Sequence, residues 1–153
     1  MTSYIFAPKD DPYHSAKWRE PYPADKLEEI KEMTEVGNAS KCRFVWTIHP
    51  FMNGGITEAT YDADIQKIKD KFNQLYNVGV RQFGVLGDDA GNLPRKVVIR
   101  VMNDLQKWAD EKGDVYDLVF CPQGYNHSWQ GNYSELNELD EGFPEGVRIF
   151  WTG

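Results

Sequence analysis

Two adjacent aspartates, Asp88 and Asp89, follow an apolar segment and lie between Gly87 and Gly91. Aspartate, glycine and asparagine are common turn residues, so a solvated turn is one interpretation of this segment. Catalysis is the other interpretation. Two carboxylates that lie close together repel each other, so one of them keeps its proton to higher pH than the other. Glycoside hydrolysis requires separate acid and anion roles of this kind.

The aspartate pair could also bind a metal ion. Mg²⁺ prefers carboxylate oxygen ligands, as in phosphoryl-transfer domains. Such a domain also needs a phosphate-cradling glycine loop or a lysine at a later strand end, and the sequence shows neither signal. Cys42 and Cys121 are far apart, and the histidines lack metal-ligand spacing, so a structural zinc site is not expected either. The prediction is a site without a metal or another cofactor.

The composition of the chain limits the kinds of binding partner that are expected. Acidic residues number 24 and basic residues 17, which gives a formal net charge of −7. Phosphate binding needs clustered lysine and arginine, so nucleic acid is not an expected partner. Aromatic residues make up 14% of the chain, which suits a surface that stacks on sugar rings as well as an ordinary core. No apolar run approaches the roughly 18 residues of a membrane span, and no signal peptide is recognised.

Strand and helix patterns alternate along the chain and must position these residues. Strand-like segments are predicted at 4–11, 43–50, 81–89, 116–126 and 147–153. Apolar residues at helical spacing predict helices within 23–36, 56–80 and 93–114, and a loop rich in polar and aromatic residues precedes the last strand. Helix-length crossovers between strands imply one α/β domain, residues 1–153, with a parallel sheet.

Polar side chains follow four of the five predicted strands at the point where each strand ends. Because ligands of parallel α/β sheets bind outside the carboxyl ends of the strands, we expect these groups to converge on one rim. Adjacent residues of a strand point to opposite faces, so both aspartates reach one pocket only if the strand breaks beside them. The polar ends are Lys9-Asp10-Asp11, His49-Pro50, Asp88-Asp89 and residues 123–126.

Five sequence blocks together resemble the catalytic domain of glycoside hydrolase family 84. The resemblance runs from Tyr4 to Gly153 and is nearest to the branch of large secreted bacterial "hyaluronidases". It implies a TIM-type (β/α)₈ barrel, here truncated to about five parallel β/α units, and an extracellular or cell-surface location. The blocks are FAPKDDPYHSAKWREPYP, FVWTIHP, YNVGVRQFGVLGDDAGN, FCPQGYNHSWQGNY and IFWTG.

The resemblance also implies an activity, the retaining hydrolysis of terminal β-linked N-acetylglucosamine from glycans or glycoproteins. The 2-acetamido oxygen of the substrate attacks its own anomeric carbon and forms an oxazoline, an exception to the scheme with a carboxylate nucleophile. Asp88 would orient the acetamido N–H, and Asp89 would be the general acid and then the base. Lys9 would contact sugar hydroxyls, and Tyr125 would wall the acetamido pocket. A non-catalytic α/β fragment with at most weak glycan binding is the alternative.

Other residues near the strand ends are interpreted as structural, or could be either structural or sugar-binding. The three histidines, His14, His49 and His127, are interpreted as structural, because a glycosidase of this type needs no imidazole. Asp10 and Asp11 precede a proline and are interpreted as residues that fix a turn by hydrogen bonds. Three aromatic residues of the rim loops could either pack or stack on sugar: Trp18, Trp129 and Tyr133.

The chain departs from the O-GlcNAcase-like members of the family at two places. Gln123-Gly124 stands where those members have Thr-Glu, and Gly87 stands where they have an aromatic type of residue. We expect the smaller residues to widen or reshape the pocket. The first and last strands would lack their barrel neighbours, so we also expect self-association or a sheet order that covers those edges.

Overall fold

Five parallel strands form one sheet in the computed structural model, which describes residues 2–8, 10–52 and 54–152. The strands are β1 (Ser3–Phe6), β2 (Arg43–Ile48), β3 (Gln82–Leu86), β4 (Val119–Cys121) and β5 (Arg148–Ile149). They lie side by side in chain order. A doubly wound sheet reverses its strand order at one point, whereas a barrel does not. The predicted fold class, parallel β/α units of a TIM-type barrel, is confirmed.

Helices connect the strands across the outer face of the sheet. They are α1 (Ala24–Ala39), α2 (Tyr61–Asn77), α3 (Arg95–Lys112), α4 (His127–Gln130) and α5 (Ser134–Gly142), and a 3-10 turn spans Pro12–His14. The three predicted helices are present. The interpretation of the segment before β5 as a loop is wrong, because it contains α4 and α5. The two helices are short, with four and nine residues, and Leu139 is the buried residue of α5, so the segment lacks the long apolar stripe by which the other helices were predicted.

The core lies between the sheet and its helices. Alternate strand residues, such as Trp46 on β2 and Phe83 on β3, face α2 and α3 and are fully buried. Phe72 of α2 stacks on Phe83 with ring centroids 4.4 Å apart. Trp18, one of the aromatic residues that could either pack or stack on sugar, belongs to this core at 2% exposure. Packing of this face fixes the strands and hence the positions of their carboxyl ends.

The two outer strands each pair with one neighbour. β1 pairs with β2, β5 pairs with β4, and Tyr4 and Ile5 of β1 are about half exposed. The predicted self-association of the chain stays a prediction, and light scattering that gives the mass of a monomer would contradict it. No helix in the described part of the chain is long and apolar enough to cross a membrane.

Candidate functional site

The two aspartates lie in the turn after β3 and have different surroundings. Asp88 is 23% exposed at its side chain and lies against the end of β2. Asp89 is exposed and has a φ of +57°, in the left-handed region that aspartate tolerates better than most residues. The strand has thus ended before the pair, which lies in a turn, and the two carboxylates have different surroundings.

His49, at the carboxyl end of β2, contacts Asp88 directly. Its ring is buried, and Nε2 lies 3.6 Å from Asp88 Oδ1 and bonds to the backbone carbonyl oxygen of Asp88. Since both neighbours are oxygen acceptors, Nε2 carries the hydrogen and donates it. Among the described residues, Nδ1 of His49 and Oδ1 of Asp88 are buried without a hydrogen-bond partner. The structural interpretation of His49 missed this contact, although its place at a strand end was a usable signal.

His14 supports His49 from the loop after β1. The backbone N–H of His49 donates to the carbonyl oxygen of His14 at 2.8 Å, and Nδ1 of His14 donates to the carbonyl oxygen of Thr47 at 3.2 Å. Burial lowers the pKa of His14, an effect that the hydrogen bond to Thr47 and the charge of Asp11 partly oppose. His14 is thus a neutral structural residue, as predicted.

The loop after β1 contains Asp11, one of the polar residues at the predicted end of the first strand. Asp11 accepts a hydrogen bond from the backbone N–H of Tyr13 at 2.8 Å and one from the hydroxyl of Tyr22 at 2.5 Å. The prediction that Asp11 fixes a turn is confirmed. Lys9, predicted to contact sugar hydroxyls, lies outside the described residues.

Tyr125 lies just after β4, next to the aspartate loop. The ends of β3 and β4 run side by side, because Leu86 pairs with Cys121 and the Gly87 N–H donates to the Cys121 carbonyl oxygen at 2.8 Å. The Tyr125 ring meets the ring of Trp129 edge to face, with centroids 4.8 Å apart. Asp88, Asp89 and Tyr125 therefore lie at adjacent positions on one rim of the sheet.

A carboxylate from α5 holds the loop that carries Tyr125. Glu135 accepts hydrogen bonds from the backbone N–H groups of Gln123 at 3.0 Å and Gly124 at 3.3 Å, and from the side chain of Gln130 at 3.0 Å. The Gln130 amide also donates to the carbonyl oxygen of Gly124. Glu135 and Gln130, which were not among the predicted site residues, thus set the shape of this loop.

The two glycines at the departures from the O-GlcNAcase-like pattern do not open extra space. A Cβ on Gly124 would lie 2.8 Å from Nε2 of Gln130, and a Cβ on Gly87 would lie 3.1 Å from the methyl groups of Leu93 and from the carbonyl oxygen of Cys121. Neighbouring groups already fill both places. The expectation that these positions widen or reshape the pocket stays a prediction.

The loops after β3 and β4 are joined and border a cavity of about 590 Å³. Gln123 donates from Nε2 to the carbonyl oxygen of Gly91 at 2.6 Å. Asp89, Gln123, Trp129, Ser134 and Glu135 are among the residues that line the cavity.

The pKa of the Cys121 thiol reflects the burial and the negative charges at this rim. Burial, and then the charges of Asp88, Asp89 and Glu135, raise the pKa of Cys121 to about 12. The thiol therefore stays protonated at neutral pH and is not a nucleophile there. In the described part of the chain, no three histidine, cysteine, aspartate or glutamate side chains are grouped as metal ligands would be.

Known proteins resemble this chain in sequence and in fold. The whole chain, residues 1–153, matches the family model described as beta-N-acetylglucosaminidase. The protein O-GlcNAcases of Mus musculus and Rattus norvegicus are each 24% identical to this chain, over 168 and 170 residues, and the match covers all of the chain and 18% of each relative.

Two solved structures resemble the chain closely. The structure of CpGH84D has a TM-score of 0.93 and 53% identity, and the structure of CpGH84B has a TM-score of 0.91 and 35% identity. The chain is covered completely in both matches but spans only 26% and 28% of those chains. It thus corresponds to less than a third of the length of each of these proteins. On these matches, the chain belongs to the β-N-acetylglucosaminidase family, glycoside hydrolase family 84.

Proposed function

We propose that this chain supplies the acetamido-orienting and proton-transferring residues of a retaining β-N-acetylglucosaminidase. The observation that carries the proposal is the contrast between two adjacent carboxylates. Asp88 is largely buried against His49, whereas Asp89 is exposed at the edge of a cavity. Carboxyl groups with different environments at neighbouring points of one site suit a division into an anion and an acid.

Asp88 orients the substrate in this proposal. Its carboxylate accepts a hydrogen bond from the acetamido N–H, which turns the acetamido oxygen toward the anomeric carbon. A bond then forms between that oxygen and the anomeric carbon while the bond to the leaving group breaks, and an oxazoline results. The contact with His49 supports this role, because it holds the backbone of Asp88 in place.

Asp89 moves the proton. It donates a proton to the glycosidic oxygen as the leaving group departs, which neutralises the charge that develops there. It then removes a proton from the water that opens the oxazoline at the anomeric carbon. Exposure supports this assignment, because the group that activates the water must be accessible to it.

Tyr125 and Lys9 complete the proposed sugar site. The hydroxyl-bearing ring of Tyr125 walls the acetamido pocket, and its position beside the end of β3 supports that role. Lys9 contacts sugar hydroxyls, a role that rests on the sequence resemblance alone. The same resemblance supports a glycan or glycoprotein substrate with terminal N-acetylglucosamine and an extracellular or cell-surface bacterial location.

A second candidate function, a non-catalytic unit that binds glycan weakly, applies to the chain in isolation. The edges of β1 and β5 each lack a second neighbour among the described strands, so the site is open on both sides. Positioning of a bound substrate can supply about 7 to 11 kcal/mol of a rate enhancement, more than the proton transfer does. An open site also admits water, which weakens the electrostatic contacts within it.

A fluorogenic N-acetylglucosaminide assay tests both candidates. The substrate is given to the isolated chain and to a polypeptide that joins this chain to the remaining barrel strands, with the Asp88→Asn, Asp89→Asn double variant of each as the blank. We expect turnover by the complete barrel and none above the blank by the isolated chain. Inactivity of the complete barrel would contradict the proposed activity, and turnover by the isolated chain would show that five strands suffice.

A further inference from the structure

Lys71 of α2 is a buried lysine that no step of the proposed mechanism uses. It is 2% exposed and lies on the apolar side of the helix, between the fully buried residues Ile68 and Leu75. Burial lowers the pKa of Lys71 to about 7, although the charges of Asp11 and Glu20 oppose this shift. Burial of an amino group costs free energy, so we expect specific contacts to compensate for it.

The amino group of Lys71 contacts the loop that joins β1 to α1. Nζ donates to the carbonyl oxygen of Tyr13 at 2.5 Å and to that of Lys17 at 3.4 Å. It also lies 5.8 Å from the ring centre of Tyr13 and 5.3 Å from that of Tyr22, within the range in which aromatic rings attract a cation. A neutral amine still has two N–H bonds, so both carbonyl oxygens can keep their donor when Lys71 loses a proton.

The far end of the same loop is held to α2 by other side chains. Asp64 accepts two hydrogen bonds from Arg19, each at 2.7 Å. Gln74 binds both the backbone N–H and the carbonyl oxygen of Tyr22, at 2.9 Å in each case. A substitution of Lys71 is therefore expected to loosen the first part of the loop without detaching the whole loop from the helix.

The first part of the loop is also bonded to the candidate site. His14 follows Tyr13, and its carbonyl oxygen accepts the hydrogen bond from the backbone N–H of His49 at 2.8 Å. His49 in turn bonds to the backbone carbonyl oxygen of Asp88. Two adjacent carbonyl oxygens thus bind this turn to α2 on one side and to the end of β2 on the other.

We propose that Lys71 is a positioning residue, which fixes the turn at Tyr13 and His14 and thereby the orientation of His49 beside Asp88. The inference rests on the proposed function, because it takes Asp88 as the residue that orients the acetamido group. The alternative is that Lys71 contributes to the stability of the fold alone. Coupling between Lys71 and His49 distinguishes the two, since residues that act through one another have non-additive effects.

The first experiment measures amide hydrogen exchange in the isolated chain and requires no activity. Lys71→Met removes the N–H donors but keeps an apolar stem of similar length, so we expect the amide of His49 to exchange about tenfold faster, the effect of losing one hydrogen bond. The amide of Gly87, which donates to the carbonyl oxygen of Cys121, is the internal reference and should change less. Lys67→Met is the matched control, because Lys67 lies one turn earlier on α2 and is exposed.

The second experiment measures kcat of the complete barrel on substrates whose acetamido group carries an increasing number of fluorine atoms. We expect Lys71→Met to lower kcat about threefold and to change its dependence on fluorination, because Asp88 is less well positioned. Lys71→Arg, which keeps N–H donors, should recover part of the loss. In a His49→Ala background, Lys71→Met should lower kcat no further.

Each experiment can overturn the inference. An unchanged exchange rate at His49, or equal acceleration at His49 and Gly87, would mean that Lys71 does not act on this turn specifically. An unchanged response to fluorination, or a loss of kcat that adds to that of His49→Ala, overturns the link to Asp88 and leaves the proposed function intact. Lys71→Gln serves in both experiments if Lys71→Met does not fold.

An inactive wild-type barrel overturns the proposed function and, with it, the role of Lys71 in the reaction. Selective acceleration of exchange at His49 in the isolated chain then separates that result from a failure of the contact between Lys71 and the turn.

Discussion

Asp88 and Asp89 are neighbours in the chain but belong to two different regions of the rim. Asp88 lies between the ends of β2 and β3, where His49 and the sheet surround it, and its Oδ1 is buried. Asp89 is exposed and lies in the loop after β3, which lines a cavity together with Gln123 and Trp129. One residue in the left-handed region is enough to move the second carboxylate from a buried to an exposed environment. Two identical side chains at adjacent positions in the sequence therefore have different environments.

The strongest test of this contrast replaces each aspartate by asparagine in the complete barrel. Asp89→Asn removes the proposed general acid, so we expect hydrolysis of substrates with poor leaving groups to slow about 10² to 10⁴-fold, and hydrolysis of activated aryl glycosides to slow far less. Asp88→Asn should slow both classes, because the oxazoline step is common to them. Rates of the two substrate classes for each variant give the answer. Equal losses for both classes in Asp89→Asn would mean that the two roles are wrongly assigned.

Substitution of His49, which contacts Asp88, should impair the function of Asp88 and leave Asp89 in place. His49→Ala deletes the hydrogen bond to the Asp88 backbone, and we expect kcat to fall about tenfold with little change in KM, because a buried carbonyl loses its donor. The dependence of kcat on fluorination of the acetamido group should also change, since we propose that Asp88 orients that group. His49→Gln, which can still donate, should recover part of both properties.

His127→Ala is the control for this experiment, because His127 is exposed and its ring contacts Tyr133 and not Asp88. A fall in kcat with an unchanged response to fluorination would indicate that His49 acts on overall stability and not on Asp88.

The smallest expected effect uses Cys121 as a probe of charge in the isolated chain. Burial comes first among the causes that raise its pKa to about 12, followed by the charge of Asp88 and then that of Asp89. Below that pKa, the thiolate fraction rises tenfold for each unit of pH, and a lower pKa increases it. In a Cys42→Ala background, where Cys121 is the single cysteine, Asp88→Asn should speed alkylation by iodoacetamide at pH 9 a few-fold.

Asp89→Asn should speed the same alkylation less, because the exposed charge acts more weakly on the thiol. Equal acceleration by the two variants would mean that the aspartates act on Cys121 alike and that the contrast in their environments is overstated.

The sequence predicts the framework of this site well for a physical reason. Strands buried on one face and helices with a wide apolar stripe have strong periodic patterns, and polar residues at the strand ends mark the rim where Asp88, Asp89 and Tyr125 lie. The helix-length crossovers indicate parallel strands, whereas the barrel-type order of the strands was implied by the family resemblance.

The details that the sequence did not reveal depend on contacts across the fold. Glu135 binds backbone groups 11 and 12 residues earlier in the chain, and no local pattern encodes a partner at that separation. His49 contacts a residue 39 positions away. The short helix α4 is held by the Asn126 cap and by Gln130, so the pattern of its four residues could not predict it.

The hydrogen bond from Gln123 to the carbonyl oxygen of Gly91 joins the loop that carries Asp89 to the loop that carries Tyr125 and Trp129. Substitutions in these two loops are therefore expected to be epistatic, since a change at position 123 also alters the support of Asp89. If one loop is varied while the other keeps its present sequence, most variants in the library are expected to be inactive. Selection for new leaving groups is expected to succeed more often when residues 88–92 and 123–130 are varied together.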